Sequence, residues 1–216
     1  MTARKDLRAE ARGGAVLSVW LTLGIVLLAV VLVTVATVDA DAAAIAPSAL
    51  WLVFALISTM AFGRGFRDEH AHGAWQAVLA APAPASAVFL GKVGANLVLT
   101  LIAELAVIIA YSLVVEWPAS TAVLAFSVLL GTIGISVVGT FVAAFTSERD
   151  SGDLLLPLMT LPVLVPLVAL AAQLTRQGLG DGVEGGWWVL VILLAGYDLI
   201  VLATATLAFG FASAKV

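Results

Sequence analysis

Cysteine is absent from the 216 residues, histidine occurs twice, and only 11% of positions are Asp, Glu, Lys or Arg, where a soluble domain carries roughly a quarter. Without thiols there is no disulfide framework, no thiolate metal site and no cysteine nucleophile. Ten basic residues and a net charge of -4 provide no electrostatic footprint for nucleic acid. What the chain has in excess is hydrocarbon, since 62% of its residues are apolar. A folded domain of this size exposes too much surface to hide that share, because area falls slowly with size. The composition excludes a secreted or cytosolic globule and predicts an all-α polytopic membrane protein whose main partner is the lipid bilayer.

A helix crosses the hydrocarbon core with about 20 mainly apolar residues, and six stretches approach or exceed that. They are Ala15 to Val38, Pro47 to Phe62, Val88 to Val115, Ala119 to Phe145, Leu154 to Leu174 and Trp187 to Phe211. The second is the shortest and extends back through Ala42 if Pro47 sits in its first turn. The first follows Arg4, Lys5, Arg8 and Arg12 as a signal peptide would, but its apolar run exceeds the roughly 7 to 15 residues of a cleaved signal. It reads as a retained helix. Six spans place both termini on one side of the membrane. Nine of the ten basic residues fall in segments facing that side, and only Arg176 falls opposite. By the positive-inside rule both termini are cytoplasmic. Residues 1 to 216 then form one transmembrane domain, with no period of 20 to 50 residues that would mark a repeat array.

The longest cytoplasmic connection, residues 63 to 87, carries the most specific pattern. Ala71, Ala74, Trp75, Val78 and Leu79 recur at helical spacing on one face. Asp68, Glu69, His70, His72 and Gln76 lie largely off it. Carboxylates in the first turn suit the helix dipole, and Pro82 and Pro84 stop the helix. Helices that lie on a membrane surface favour Lys and Arg on the polar face. This one carries acids and histidines instead, which points to a cytoplasmic protein partner.

Phe66-Arg67-Asp68-Glu69 with Gly73, Leu79, Pro82 and Lys92 resembles the first cytoplasmic loop of the haem exporter B subunit family. These are six-span ABC-2-type permeases of cytochrome c maturation. Leu161-Pro162-Val163-Leu164-Val165-Pro166-Leu167 is similar to the paired-proline signature of the same family. Gln76 and Gly63 stand where the family commonly has acids. The resemblance implies an ABC-2-type permease half that acts as a homodimer, alongside other cytochrome c maturation membrane proteins in the cell inner membrane. It implies a separate ABC ATPase subunit that docks on Arg67, Asp68, Glu69, His70, Gly73, Trp75 and Leu79, with ATP held by that partner and haem as the nominal substrate. The chain has no GxxxxGK[ST] phosphate loop of its own. No catalytic residue and no directly bound cofactor are expected. A second candidate contact is the loop containing Glu148, Arg149 and Asp150, which reads equally as a solvated turn.

Glu104 and Asp198 fall near the middle of the third and sixth spans, where a charge costs at least roughly 2.5 to 3.5 kcal/mol. They read as groups on a substrate or proton path, or as protonated acids hydrogen-bonded inside the bundle. Pro157, Pro162 and Pro166 in the fifth span each remove a helix hydrogen bond and predict a kink or break, either a hinge or simply a shaped helix. Thr132, Ser136, Thr140 and Ala144, with Gly131 and Gly139, form a small-residue stripe on the fourth, a packing surface. Trp20, Trp51, Trp117, Trp187 and Trp188 lie near span ends, as interfacial anchors do. His70 and His72 are two residues apart and point to different helix faces, so no metal site is expected. Three other readings stand beside haem export: a general ABC-2 permease for a lipid, drug or polysaccharide, a membrane-embedded enzyme using Glu104 and Asp198, and a passive assembly scaffold.

Overall fold

Apolar residues surround each long helix on all sides, the pattern of helices buried in protein on one face and in lipid on the other. The computed structural model describes residues 47–59, 62, 84–112, 120–146, 152–179 and 185–213, together with Thr22, Val26 and Ala29. Among these residues there are five helices: α1 (Pro47–Thr59), α2 (Ala85–Ser112), α3 (Thr121–Thr146), α4 (Gly152–Leu179) and α5 (Trp187–Ser213). The last four are long and apolar enough to cross a membrane. The chain is an all-helical, multi-pass membrane protein.

The third to sixth expected spans are α2 to α5, with shifted ends. Pro84, read as a stop, also starts α2, because its carbonyl accepts from Ala87 N at 2.9 Å. Proline tolerates a helix start, where its missing N–H has no partner to lose. α4 runs five residues past its expected end and takes Arg176 into its last turn, where a cation favours the dipole. The expected break at the prolines does not occur, since α4 is one helix from Gly152 to Leu179. α1 is an apolar helix of 13 residues within the described range, and Phe62, the last residue of its expected span, is also helical. The first expected span lies outside the described residues, apart from the helical positions Thr22, Val26 and Ala29.

α3 is the axis of the bundle. It packs against α2, α4 and α5, and more of it is buried than of any other spanning helix. Small residues permit this, because without a hydrophobic drive inside lipid, helices associate by close van der Waals approach. At Gly131 an added Cβ would stand 2.1 Å from the Trp51 ring, and at Gly139 it would stand 2.3 Å from the Phe62 ring. The small-residue stripe therefore receives aromatic rings of this same chain. Trp51 is not an interfacial anchor: it is 1% exposed, and its Nε1 donates to Thr175 Oγ1 of α4 at 2.8 Å. Ser127 Oγ of α3 lies 2.6 Å from the same hydroxyl, so one polar knot ties α1, α3 and α4. Trp188 is exposed and does suit an interface, whereas Trp187 is half-buried and packs beside Phe126. Trp20 and Trp117 lie outside the described residues.

Candidate functional site

Polar residues recur along α2 at four-residue spacing, as Lys92, Asn96, Thr100 and Glu104. Such a series forms a stripe that drifts slowly around the helix, and this one faces inward. Lys92, Thr100 and Glu104 are buried and Asn96 is half-buried. α3 faces it with Thr132, Ser136 and Thr140, all fully buried. Asn96 Nδ2 donates to Thr140 Oγ1 at 2.8 Å, and the Thr132 hydroxyl is hydrogen-bonded to Glu104 Oε2. The helices are antiparallel, and the numbers in both pairs add to 236. That register sets Thr100 opposite Ser136. This middle rung is open: Thr100 Oγ1, Ser136 Oγ and Glu104 Oε1 find no hydrogen-bond partner among the described residues.

Asp198 lies on another side of α3. It is buried on α5, and a Cβ added at Gly134 would stand 2.5 Å from its Oδ1 and 1.8 Å from Leu167 Cδ1. Neither carboxylate oxygen has a partner among the described residues. Thr132 and Gly134 are two residues apart, so they point about 200° apart and differ by about 3 Å in height. Glu104 and Asp198 therefore share nearly one depth on opposite sides of the α3 backbone. They do not form a pair that could exchange a proton or flank a reacting atom.

The prolines reach the same level. Leu167, beside Pro166, is the side chain seated on Gly134, and the Tyr197 hydroxyl of α5 donates to the Val163 carbonyl in the turn before Pro166. A proline leaves a carbonyl in the preceding turn without its helical donor, and in hydrocarbon a neighbouring helix must compensate. Tyr197 adds a donor in that stretch, on the Val163 carbonyl next to the Pro162 carbonyl that Pro166 leaves without its helical donor. Tyr197→Phe is expected to keep the fold and cost about 0.6 kcal/mol, with about 1.7 as the upper bound. Thermal unfolding in detergent with and without the substitution checks this.

The structure thus gathers Glu104, Asp198, Pro162 and Pro166 into one cross-section of the bundle. Pro157 is in α4, one turn and more before it. Arg67, Asp68, Glu69, His70, Gly73, Trp75 and Leu79, and the loop residues Glu148, Arg149 and Asp150, lie outside the described residues. No group of three or more metal-ligating side chains occurs among the described residues. Sequence reasoning missed Asn96, Thr100, Ser127, Thr175 and Tyr197. The four-residue recurrence from Lys92 to Glu104 was a readable signal for the first two. The others depend on which helices become neighbours.

Comparison with known proteins agrees with the resemblance. Heme exporter protein B of Rhodobacter capsulatus is 33% identical over 175 residues, covering 81% of this chain and 80% of its own. Heme exporter protein B of Paracoccus denitrificans is 29% identical over 206 residues, covering 94% and 93%. The protein of that name from Haemophilus influenzae is 28% identical over 158 residues, covering 70% of each chain. Residues 1–215 match the CcmB protein family, and with this coverage, these relatives and the apolar helical bundle, the chain belongs to that family.

Proposed function

We propose that this chain is the membrane subunit of a haem exporter serving cytochrome c maturation, and that it carries no catalytic residue itself. The observation that supports this most is the family match across residues 1–215, with relatives that bear the name heme exporter protein B. The enzyme reading loses its footing because α3 stands between Glu104 and Asp198. The general permease and scaffold readings have no comparable support.

In finer detail, the subunit is an ABC-2-type half with six spans, two copies of which form the permease, in the cell inner membrane with both termini cytoplasmic. ATP is bound and hydrolysed by a separate ABC subunit that docks on the amphipathic segment from Arg67 to Leu79, with the Glu148–Asp150 loop as a second contact. Other cytochrome c maturation membrane proteins complete the complex, and haem is its substrate. Closure of the ATPase pair pushes the segment and tilts the spans on either side of it. Glu104, Asp198 and the proline turns of α4, gathered at one depth, are the groups such a tilt would rearrange.

A mild-detergent purification of the full chain from its native membrane, with mass spectrometry and a haem absorbance spectrum, tests the assignment. A small ATPase arriving together with cytochrome maturation proteins is the expected result. An ATPase arriving without them would support a general ABC permease, and an intact complex with no ATPase would defeat both transport readings.

A further inference from the structure

The α1–α2 crevice holds a polar site at Glu104. Phe54, Ile57 and Ser58 of α1 and Thr100, Ala103, Glu104 and Val107 of α2 line a small cavity. Its apolar walls surround a few oxygens. Glu104 is 2% exposed and Thr100 is 1% exposed, and Glu104 Oε1 and Thr100 Oγ1 have no partner among the described residues. Both belong to residues lining the cavity, and Ser58 adds a second hydroxyl from the opposite wall. The space holds about one water, and a buried water needs two to four polar partners. The volume, about 10 Å³, is at the lower limit for one water, and three of the lining residues carry side-chain oxygens.

The hydrogen-bond inventory on the other carboxyl oxygen bears on the charge of Glu104. The Thr132 hydroxyl contacts Glu104 Oε2 and also lies 2.5 Å from the Val128 carbonyl. A hydroxyl has one proton to donate. If Glu104 carries a proton and donates it to Thr132 Oγ1, the Thr132 proton is free for Val128, and both contacts are satisfied. An ionised carboxylate would leave the two acceptors competing for one proton. It would also bury a negative charge with an orphaned oxygen, at a cost of several kcal/mol even after relaxation. Lys92 cannot relieve it, since it stands three turns away on α2, about 18 Å at 1.5 Å per residue.

We infer that the crevice between α1 and α2 is a binding site for a single water, held by Thr100, Ser58 and the C=O of Glu104, with Glu104 a neutral carboxylic acid bonded to Thr132. The water donates to Oε1 of Glu104 and joins it to the two hydroxyls. It makes α1 and α2 partners through a polar bridge, where the other residues lining the cavity, Phe54, Ile57, Ala103 and Val107, are apolar.

Infrared spectroscopy of the full-length protein in lipid nanodiscs tests the site. Glu104→Gln is expected to remove one protonated-carboxyl C=O band, and Asp198→Asn serves as a control that leaves this band in place. Ala103→Leu fills the crevice without touching a hydrogen-bonding group and is expected to shift the Glu104 band to higher frequency, as a C=O does when it loses a donor. Thr100→Val, nearly isosteric, is expected to move it in the same direction should the larger side chain not be accommodated. The absence of any acid band assignable to Glu104 would mean that the group is ionised. A band unmoved by both crevice variants would mean that Oε1 has no water. Either result overturns the inference.

Discussion

Trp75→Asp combined with Leu79→Asp is expected to abolish recruitment of the ATPase while leaving the chain in the membrane. The two residues are four apart in the sequence, a spacing that makes them neighbours on the proposed amphipathic helix. Buried aromatic anchors carry much of the energy of an interface, and truncating one commonly costs 2 kcal/mol or more. Placing two carboxylates there removes both anchors and adds unpaired charge to a surface that must be desolvated on docking. Because the segment lies between spans and not within one, insertion should be spared. The measurement is co-purification of the ATPase with the variant and the parent chain at equal membrane abundance. Undiminished recruitment would place the docking surface elsewhere, with Glu148 to Asp150 the next segment to change.

The second large effect concerns packing. Gly131→Ala is expected to destabilise the bundle by about 1–3 kcal/mol, the usual cost of overpacking a tight core. The new methyl would stand 2.1 Å from a carbon of the Trp51 indole, and that ring cannot yield easily. It is rigid, 1% exposed and tied by its Nε1 to Thr175. Moving it also disturbs the Ser127–Thr175 contact that joins α3 to α4. At about 2–4 °C per kcal/mol for a chain of this size, thermal unfolding in a fixed detergent resolves the effect. Gly196→Ala is the companion, since nothing among the described residues stands within 4 Å of a Cβ there, and it should change little. A double variant, Gly131→Ala with Trp51→Ala, should lose less than the sum of the two single losses, because neighbours that share a contact are non-additive. Simple additivity would mean that the clash is relieved without cost.

Several features were legible before any coordinates. Long apolar runs separated by polar punctuation marked α2 to α5, because a helix that must satisfy its backbone inside hydrocarbon has few other forms available. The stripe Thr132, Ser136, Thr140 was recognisable as packing because residues too small to keep helices apart serve that purpose. Other features were misread for definite reasons. Trp51 lies near a span end, where tryptophan ordinarily anchors to the interface, but Gly131 opens a slot on the opposing helix that accepts the edge of its indole. The prolines predict a kink or break, and α4 is continuous from Gly152 to Leu179. The third expected span begins at Val88, whereas α2 begins at Ala85 because the Pro84 carbonyl opens its first turn.

Composition and periodicity by themselves determined that this protein lives in a membrane and is built of apolar helices, since both follow from local free energies of transfer, and two short motifs carry the family resemblance. The tertiary structure alone decided that Glu104 and Asp198 stand on opposite sides of α3, that Thr100 meets Ser136 in an open rung, and that an α1–α2 crevice reaches Glu104. These depend on the register and rotation of helices against one another. In lipid that choice turns on fitting rings onto glycines and matching donors to acceptors across helices, which no single apolar run records.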